Sequence, residues 1–330
     1  MSKICVLGTG SWGSVVGEML TQNGHIITMW QRDAEKAKAM AADRKHPFMA
    51  DLVFSPEIKF TTALGTAVAG AKIIVFAVPS HSIRELAASA VHYIDDKVII
   101  VNLAKGLETD SLLTMSTVIS EETESKNVPI VSLYGPSHAE EVVQKIPTTL
   151  VAASTNNNAA KEVQHIFSSS ILRVYTNDDI MGVEFGGSIK NVIAIAAGIS
   201  DGIGFGDNSK AALLTRGIAE MTRLGVALGA REKTFSGLSG IGDLIVTCSS
   251  RHSRNRYVGE EIGKGRKIYE ILANMNMVAE GVKTAQAVYQ ICLKHGVEMP
   301  ISKAVYDVLY NDKDPRESVT ELMTRDLITE

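Results

Sequence analysis

Short runs that are apolar at every position alternate, in the first half of the chain, with stretches whose apolar residues recur at helical spacing. Residues 3–8 form the first such run, and 11–20 follow with Trp12, Val15, Val16, Met19 and Leu20 along one helical face. Asn23-Gly24 is a helix stop, and 25–30 is a second run rich in β-branched residues. Strand, glycine turn, helix and strand make a βαβ unit. Runs at 72–78, 97–102 and 129–134 repeat the pattern, and 148–153 and 172–175 end it. Strands apolar on both faces and separated by helices predict an α/β fold with an N-terminal Rossmann-type, doubly wound parallel sheet covered on both sides.

The pattern changes near residue 179. Ala, Gly, Leu and Ile then recur at helical spacing and no strand-like run remains, so an all-helical C-terminal domain is expected. Helices are read at 179–200, 210–228, 255–263, 282–295 and 302–310. The first is apolar almost all round, which predicts a buried core helix. The expected division is residues 1–178 as a dinucleotide-binding Rossmann domain and 179–330 as a helical substrate and catalytic domain.

The longest uninterrupted apolar stretch, 192–199, lies between Lys190 and Asp201 and is shorter than a membrane helix requires. The N-terminus runs directly into the first strand without a signal-peptide pattern. No membrane insertion is expected. The chain has 330 residues with 33 basic and 37 acidic side chains, a formal net charge of −4. Such a balance argues against nucleic acid as a partner, so any anion site must be local. Three cysteines (Cys5, Cys248, Cys292) fit buried free thiols in a cytoplasmic protein better than a disulfide framework.

Gly8-Thr-Gly10-Ser-Trp-Gly13 fits G-x-G-x-x-G. Its position between a strand and a helix at the start of a βαβ unit predicts a pyrophosphate seat at the helix N-terminus. The second strand ends in Trp30-Gln31-Arg32-Asp33. Arg32 there favours the 2′-phosphate of NADP; Asp33 reads as a helix N-cap and leaves NAD open. Ligands of open parallel sheets bind outside the carboxyl ends of the strands. The residues after those ends are the glycine loop, Pro79-Ser80-His81, Ala104-Lys105-Gly106 and Gly135-Pro136-Ser137-His138. Ser137-His-Ala-Glu140 reads as a capping box opening a helix.

In the second half Lys190 stands out, because Gly186-Gly-Ser-Ile-Lys190-Asn-Val-Ile-Ala is otherwise almost apolar. A buried ammonium is costly and has its pKa lowered, so this lysine needs a partner or performs proton chemistry. The adjacent glycines predict close approach of a backbone or ligand. Ser239-Gly-Ile-Gly-Asp243 follows, then Arg251-His-Ser-Arg-Asn-Arg256, whose guanidinium groups suit phosphate. No His, Cys and carboxylate cluster has metal-ligand spacing, so no metal is expected.

These segments together resemble the bacterial-type NAD(P)-dependent glycerol-3-phosphate dehydrogenases over nearly the whole chain. The glycine loop, Ala104-Lys105-Gly106, Gly135-Pro136, Gly187-Ser-Ile-Lys190-Asn, Gly242-Asp243-Leu, Ser253-Arg254-Asn255 and Val278-Ala-Glu280-Gly carry the likeness. Ser188 departs from it, since Ala or Thr is usual there, but a small residue is kept. The resemblance implies reversible reduction of dihydroxyacetone phosphate to sn-glycerol 3-phosphate for phospholipid synthesis, by a homodimer using NADP or NAD. It implies that Lys190 moves the proton while Lys105 and Asp243 orient and polarise the substrate. It implies further substrate contacts from Gly135, Ser137, Ser253, Arg254 and Asn255. Its cofactor site would be lined by Gly8, Gly10, Ser11, Trp12, Gly13, Arg32, Lys105, Ala139, Arg254, Val278 and Glu280. Two other readings stay open on the residues alone: a related Rossmann dehydrogenase of a β-hydroxyacid or sugar acid, and a non-catalytic NAD(P) sensor.

Overall fold

The computed structural model describes residues 1–275, 277–327 and 329. The strands are β1 (Lys3–Leu7), β2 (Ile26–Trp30), β3 (Lys45–His46), β4 (Met49–Val53), β5 (Lys59–Thr61), β6 (Ile73–Phe76), β7 (Ile99–Asn102), β8 (Ile130–Tyr134), β9 (Thr148–Ala153) and β10 (Leu172–Asn177). Eight form one sheet in the order β10-β9-β8-β7-β6-β1-β2-β5, and β3 and β4 pair as a separate hairpin. From β1 the chain builds outward to β2 and β5, then crosses to β6 on the other flank of β1. That reversal separates the loops after β1 and β6, which is where an open α/β sheet forms its ligand crevice.

Alternate residues of β1 enter opposite cores. Ile4 and Val6 pack with Val15, Val16, Leu20 and Phe167, whereas Cys5 and Leu7 pack with Leu86, Ala87, Val118 and Ile119. Both faces are therefore covered, which explains why the strands read as continuous apolar runs.

The sheet is not wholly parallel, as the sequence had suggested. β9 runs antiparallel to β8, and β10 runs parallel to β9, so the last two strands are reversed. The 135–147 connection contains only the short helix Ala139–Val143. At about 1.5 Å per residue that helix cannot carry the chain back along the sheet to a parallel start. β3, β4 and β5 also escape a periodicity reading: β3 and β5 have only two and three residues, too short to show a period, and the five-residue β4 is buried at Met49 and Leu52 alone, without a two-residue alternation.

Contacts divide the chain into two compact units, Met1–Lys105 with Leu113–Glu184, and Gly106–Leu112 with Phe185–Glu330. The sequence reading cut the chain at 178/179; the packing groups residues differently, for two local reasons. The first turn of the helix Ile180–Ile203 puts Ile180 and Val183 against Tyr134, Val151 and Ala153 of the sheet unit. Leu107 packs among Phe185, Ile189 and Val192, and the Ser188 hydroxyl donates to Gly106 O at 3.1 Å, which joins 106–112 to the helical unit.

The helix Ile180–Ile203 is long and apolar enough to cross a membrane by length and composition, more than the 192–199 stretch suggested. Of its most apolar window 83% is buried inside the protein, as expected of a core helix. It lies in backbone contact with the helix Arg254–Gly263. A Cβ at Gly198 would stand 1.9 Å from Arg256 O, and one at Gly259 would stand 2.0 Å from Ile195 O. Only glycine permits that approach. The remaining helices of this unit include Asp207–Ala227, Asp243–Ser249, Glu280–His295 and Pro300–Tyr310.

Candidate active site

The residues singled out in the sequence fall into two groups, one in each unit. In the sheet unit, the row of loops after β1, β6, β7 and β8 lies along neighbouring strands. Gly8 has φ +111°, and a Cβ there would come 2.7 Å from Ala77 O; one at Gly13 would come 2.6 Å from Ala77 Cβ. A Cβ at Gly10 would meet nothing within 4 Å. The first and third glycines thus serve the turn and the helix–strand packing, and the middle one leaves open space beside a helix N-terminus. That helix, Ser11–Gln22, has Gly10 as N-cap without a side-chain capping bond and no acidic residue in its first turn. Its N–H groups and positive dipole end suit a pyrophosphate, so the loop fits a dinucleotide. Ser11 and Trp12 are half-buried at the same end.

Two side chains that the sequence reading passed over hold this loop. Gln31 Nε2 donates to Thr9 Oγ1 at 2.5 Å, and His46 Nε2 lies 3.1 Å from Thr9 O. His46 Nδ1 accepts from the Phe48 N–H at 3.2 Å, so the ring's proton sits on Nε2 and is donated to Thr9. Burial lowers the His46 pKa, which keeps the ring neutral. The only signal in the sequence was a polar residue after a strand and a His 37 residues from its acceptor.

Arg32 is exposed and makes no hydrogen bond or ion pair among the described residues. Asp33 caps the helix Ala34–Asp43 by accepting from the Lys36 N–H at 3.1 Å, and that bond holds its carboxyl below the usual range. At the β2 end the cation is therefore available and the carboxylate is engaged in capping.

Lys105 is half-buried; its Nζ donates to Gly135 O at 2.9 Å and stands 5.7 Å from the centre of the Tyr134 ring. Gly135 has φ +136°. Ser137 does not cap a helix as the sequence suggested. His138 is the N-cap of Ala139–Val143 and makes no side-chain capping bond, whereas the Ser137 hydroxyl turns back to Gly135 O at 3.0 Å. Ala139 is 7% exposed and packs in the sheet core, so any ligand contact there falls to its backbone.

In the helical unit Lys190 is 5% exposed and is paired. Its Nζ donates to Asp243 Oδ1 at 2.5 Å and to Thr247 Oγ1 at 2.6 Å. The local fold explains the meeting. Gly186 has no Cβ, and one there would stand 2.7 Å from Ser239 O, so the segment Leu238–Gly242 can lie against the core helix as a single wide π-type turn. That turn leads directly into the helix Asp243–Ser249, where Asp243 and Thr247, four residues apart, share a face. The glycines near Lys190 therefore admit another backbone. Asp243, carried only by the resemblance at first, is 1% exposed and is the lysine's counter-ion.

The basic cluster divides by role. Arg256 is not available for phosphate, because its Nε and Nη2 both reach Asp201 Oδ2 at 2.7 Å. Arg254 is exposed, with Nη1 donating to Val278 O at 2.9 Å. Ser253 caps the helix Arg254–Gly263 by accepting from the Arg256 N–H, and its own O–H remains as a donor. Asn255 joins three helices: Nδ2 donates to Asn191 Oδ1 and Oδ1 accepts from the Gly281 N–H, each at 2.9 Å. Val278 is exposed, and Glu280 is half-buried at the start of Glu280–His295.

The cysteines offer no nucleophile. Burial pushes Cys5 and Cys248 up to about 12 and Cys292, which is only half-buried, up to about 11.

Two family models cover most of the chain: NAD-dependent glycerol-3-phosphate dehydrogenase N-terminus at residues 3–160 and C-terminus at 179–320. The chain is 50% identical to the glycerol-3-phosphate dehydrogenase [NAD(P)+] of Thermoanaerobacter sp. (strain X514), over 98% of this chain and 97% of that protein. It is 49% identical to the enzyme of the same name from Chlorobium limicola, over 98% of each. The crystal structure of glycerol-3-phosphate dehydrogenase from Coxiella burnetii superposes with a TM-score of 0.92 at 35% identity, over 98% of this chain and 99% of that one. With a glycine loop built for a dinucleotide and a buried, paired lysine in a helical unit, the chain belongs to the NAD-dependent glycerol-3-phosphate dehydrogenase family.

Proposed function

We propose that this enzyme reversibly reduces dihydroxyacetone phosphate to sn-glycerol 3-phosphate with NADPH or NADH, and so supplies the backbone of glycerophospholipids. The observation that carries the reading is the Lys190–Asp243–Thr247 cluster, a proton donor fixed in direction and nearly sealed from water in a chain half identical to enzymes of that name. We assign dinucleotide binding to residues 1–178 and substrate binding and catalysis to 179–330.

With its pyrophosphate at the glycine loop, the dinucleotide would supply the hydride from its nicotinamide. Gly8, Gly10, Ser11, Trp12 and Gly13 would form the seat of the pyrophosphate, and Arg32, Lys105, Ala139, Arg254, Val278 and Glu280 would complete the cofactor site. As the substrate carbonyl gains electrons its oxygen becomes negative, and the Lys190 ammonium stabilises that oxygen and gives it a proton. Asp243 and Thr247 point the ammonium, so no reorientation is needed during the reaction. In the opposite direction the neutral Lys190 amine takes the hydroxyl proton. Lys105 polarises the substrate, and Gly135, Ser137, Ser253, Arg254 and Asn255 bind it. A homodimer working in the cytoplasm is part of the same proposal; the three cysteines without a disulfide support a reducing compartment, and sedimentation would read the dimer.

The deciding assay follows nicotinamide absorbance with dihydroxyacetone phosphate against unphosphorylated 2-keto and 3-keto acids. Preference for a keto acid would refute the assignment, and cofactor binding without any turnover would indicate a sensor.

Arg254→Ala should leave the fold intact and raise the KM for dihydroxyacetone phosphate by about 30-fold or more, the loss of a charge-assisted phosphate contact of about 2–5 kcal/mol. An unchanged KM removes Arg254 from the site. Arg32→Ala should raise the KM for NADPH by about tenfold and that for NADH by less than about twofold, since the guanidinium pairs only with a 2′-phosphate. Equal effects on both cofactors would mean that Arg32 does not read the 2′ position.

A further inference from the structure

Behind Lys105 lies a buried carboxyl group that the mechanism above does not use. Glu184 is 0% exposed, and no Lys, Arg or His pairs with it among the described residues. Its Oε1 accepts from the Ser116 N–H at 2.9 Å, the Ser132 hydroxyl at 2.8 Å and Asn102 Nδ2 at 3.0 Å, while its Oε2 is 2.5 Å from Ser116 Oγ. Burial raises its pKa, and the hydrogen bonds from Ser116, Thr114 and Ser132 partly offset that rise. An apolar residue would serve packing here without these desolvation costs.

The bonds lead towards Lys105. Asn102 Nδ2 has two hydrogens, and its two shortest contacts are Glu184 Oε1 and the Tyr134 hydroxyl at 3.1 Å. Tyr134 can then donate its own proton to Ala104 O, a bond the structure contains. With Nδ2 turned to Glu184, Asn102 Oδ1 faces the Ala104 N–H and accepts from it at 2.9 Å. Glu184 thereby selects the amide orientation that pins Ala104, the residue before Lys105, at both its N–H and its carbonyl. The same Tyr134 underlies the Lys105 ammonium and precedes Gly135, whose carbonyl accepts from it.

We infer that Glu184 is a positioning residue for Lys105, acting through Asn102 and Tyr134 to fix both the backbone and the ammonium of that lysine. The inference deepens the proposed function, since it rests on Lys105 acting on the substrate.

A double-mutant cycle tests it, with kcat/KM for dihydroxyacetone phosphate measured at saturating NADPH. Glu184→Met should lower kcat/KM by about 10–100-fold, the scale of loss for a catalytic group displaced by about an ångström. Glu184→Gln, which keeps an oxygen for the Ser116 N–H and for Asn102, should recover most of that loss. In a Lys105→Met background Glu184→Met should cost less than about twofold more, because the group it positions is already gone. If Glu184→Met does not fold, Tyr134→Phe removes the hydroxyl that links Asn102 Nδ2 to Ala104 O and leaves the ring beneath Lys105, and its smaller loss should likewise vanish in the Lys105→Met background. Losses that multiply in the double variant, or an unchanged kcat/KM in the single one, would overturn the inference alone. A wild-type enzyme inactive on dihydroxyacetone phosphate would overturn the functional reading and the inference with it.

Discussion

Lys190→Met should reduce turnover of dihydroxyacetone phosphate by about two to four orders of magnitude while leaving cofactor binding nearly unchanged. Methionine keeps most of the apolar stem that packs inside the helical core, but it removes both the proton and the charge that stabilises the developing oxyanion. The structure adds a consequence. Asp243 is 1% exposed and has Lys190 at 2.5 Å, so removing the ammonium leaves a buried carboxylate without its counter-ion. A loss of stability on the order of 3–5 kcal/mol should accompany the loss of turnover. The double variant Lys190→Met, Asp243→Leu separates the two effects: it should regain much of the melting temperature and none of the turnover. Near-normal turnover in Lys190→Met with only a shifted melting temperature would make the lysine a structural core residue and would refute its catalytic assignment.

Asp243→Asn should also have a large effect, by a different route. The amide still offers an oxygen to Lys190 Nζ but carries no charge, so the buried ammonium loses the interaction that offsets its desolvation. Melting should fall by on the order of 5–15 °C. Turnover should fall by about 100-fold or more as the ammonium loses its fixed direction. Thr247→Val is the contrast, since it removes the hydroxyl that accepts from Lys190 Nζ and donates to Asp243 O, each at 2.6 Å, but leaves the ion pair, and its cost should stay within about tenfold. If Asp243→Asn matched wild type in both melting and turnover, the carboxylate would have no part in holding the lysine. If the Thr247 and Asp243 variants lost equally, charge would not be what holds the ammonium.

Some of the site was legible because its signals are local. The glycine loop occupies six consecutive residues between two periodic segments, and the position of each glycine follows from turn geometry and from the close approach of Ala77. Arg32 and Asp33 were read at the end of one strand, and the capping bond to the Lys36 N–H lies within the next turn. Lys190 was visible as the one charge in an apolar helical stretch. The Ser137 capping box, by contrast, was a local signal that misled. The required spacing is present, yet the positive φ of Gly135 starts a tight turn, and the Ser137 hydroxyl returns to the Gly135 carbonyl.

By itself the sequence determined the α/β architecture, the cofactor loop, the core helix and the lysine within it, because periodicity, turn chemistry and an isolated buried charge are properties of neighbours along the chain. Only the tertiary structure decided which groups meet. Asp243 reaches Lys190 across 53 residues, Glu184 reaches Asn102 across 82, and Arg256 is drawn to Asp201 across 55 and away from any phosphate. The reversed direction of β9 likewise depends on how far a five-residue helix can carry the chain. A residue's type states what it needs when buried, such as a counter-ion, a donor or a backbone without a Cβ in the way. Which residue meets that need is set by packing of helices and strands distant in sequence, and no local pattern encodes it.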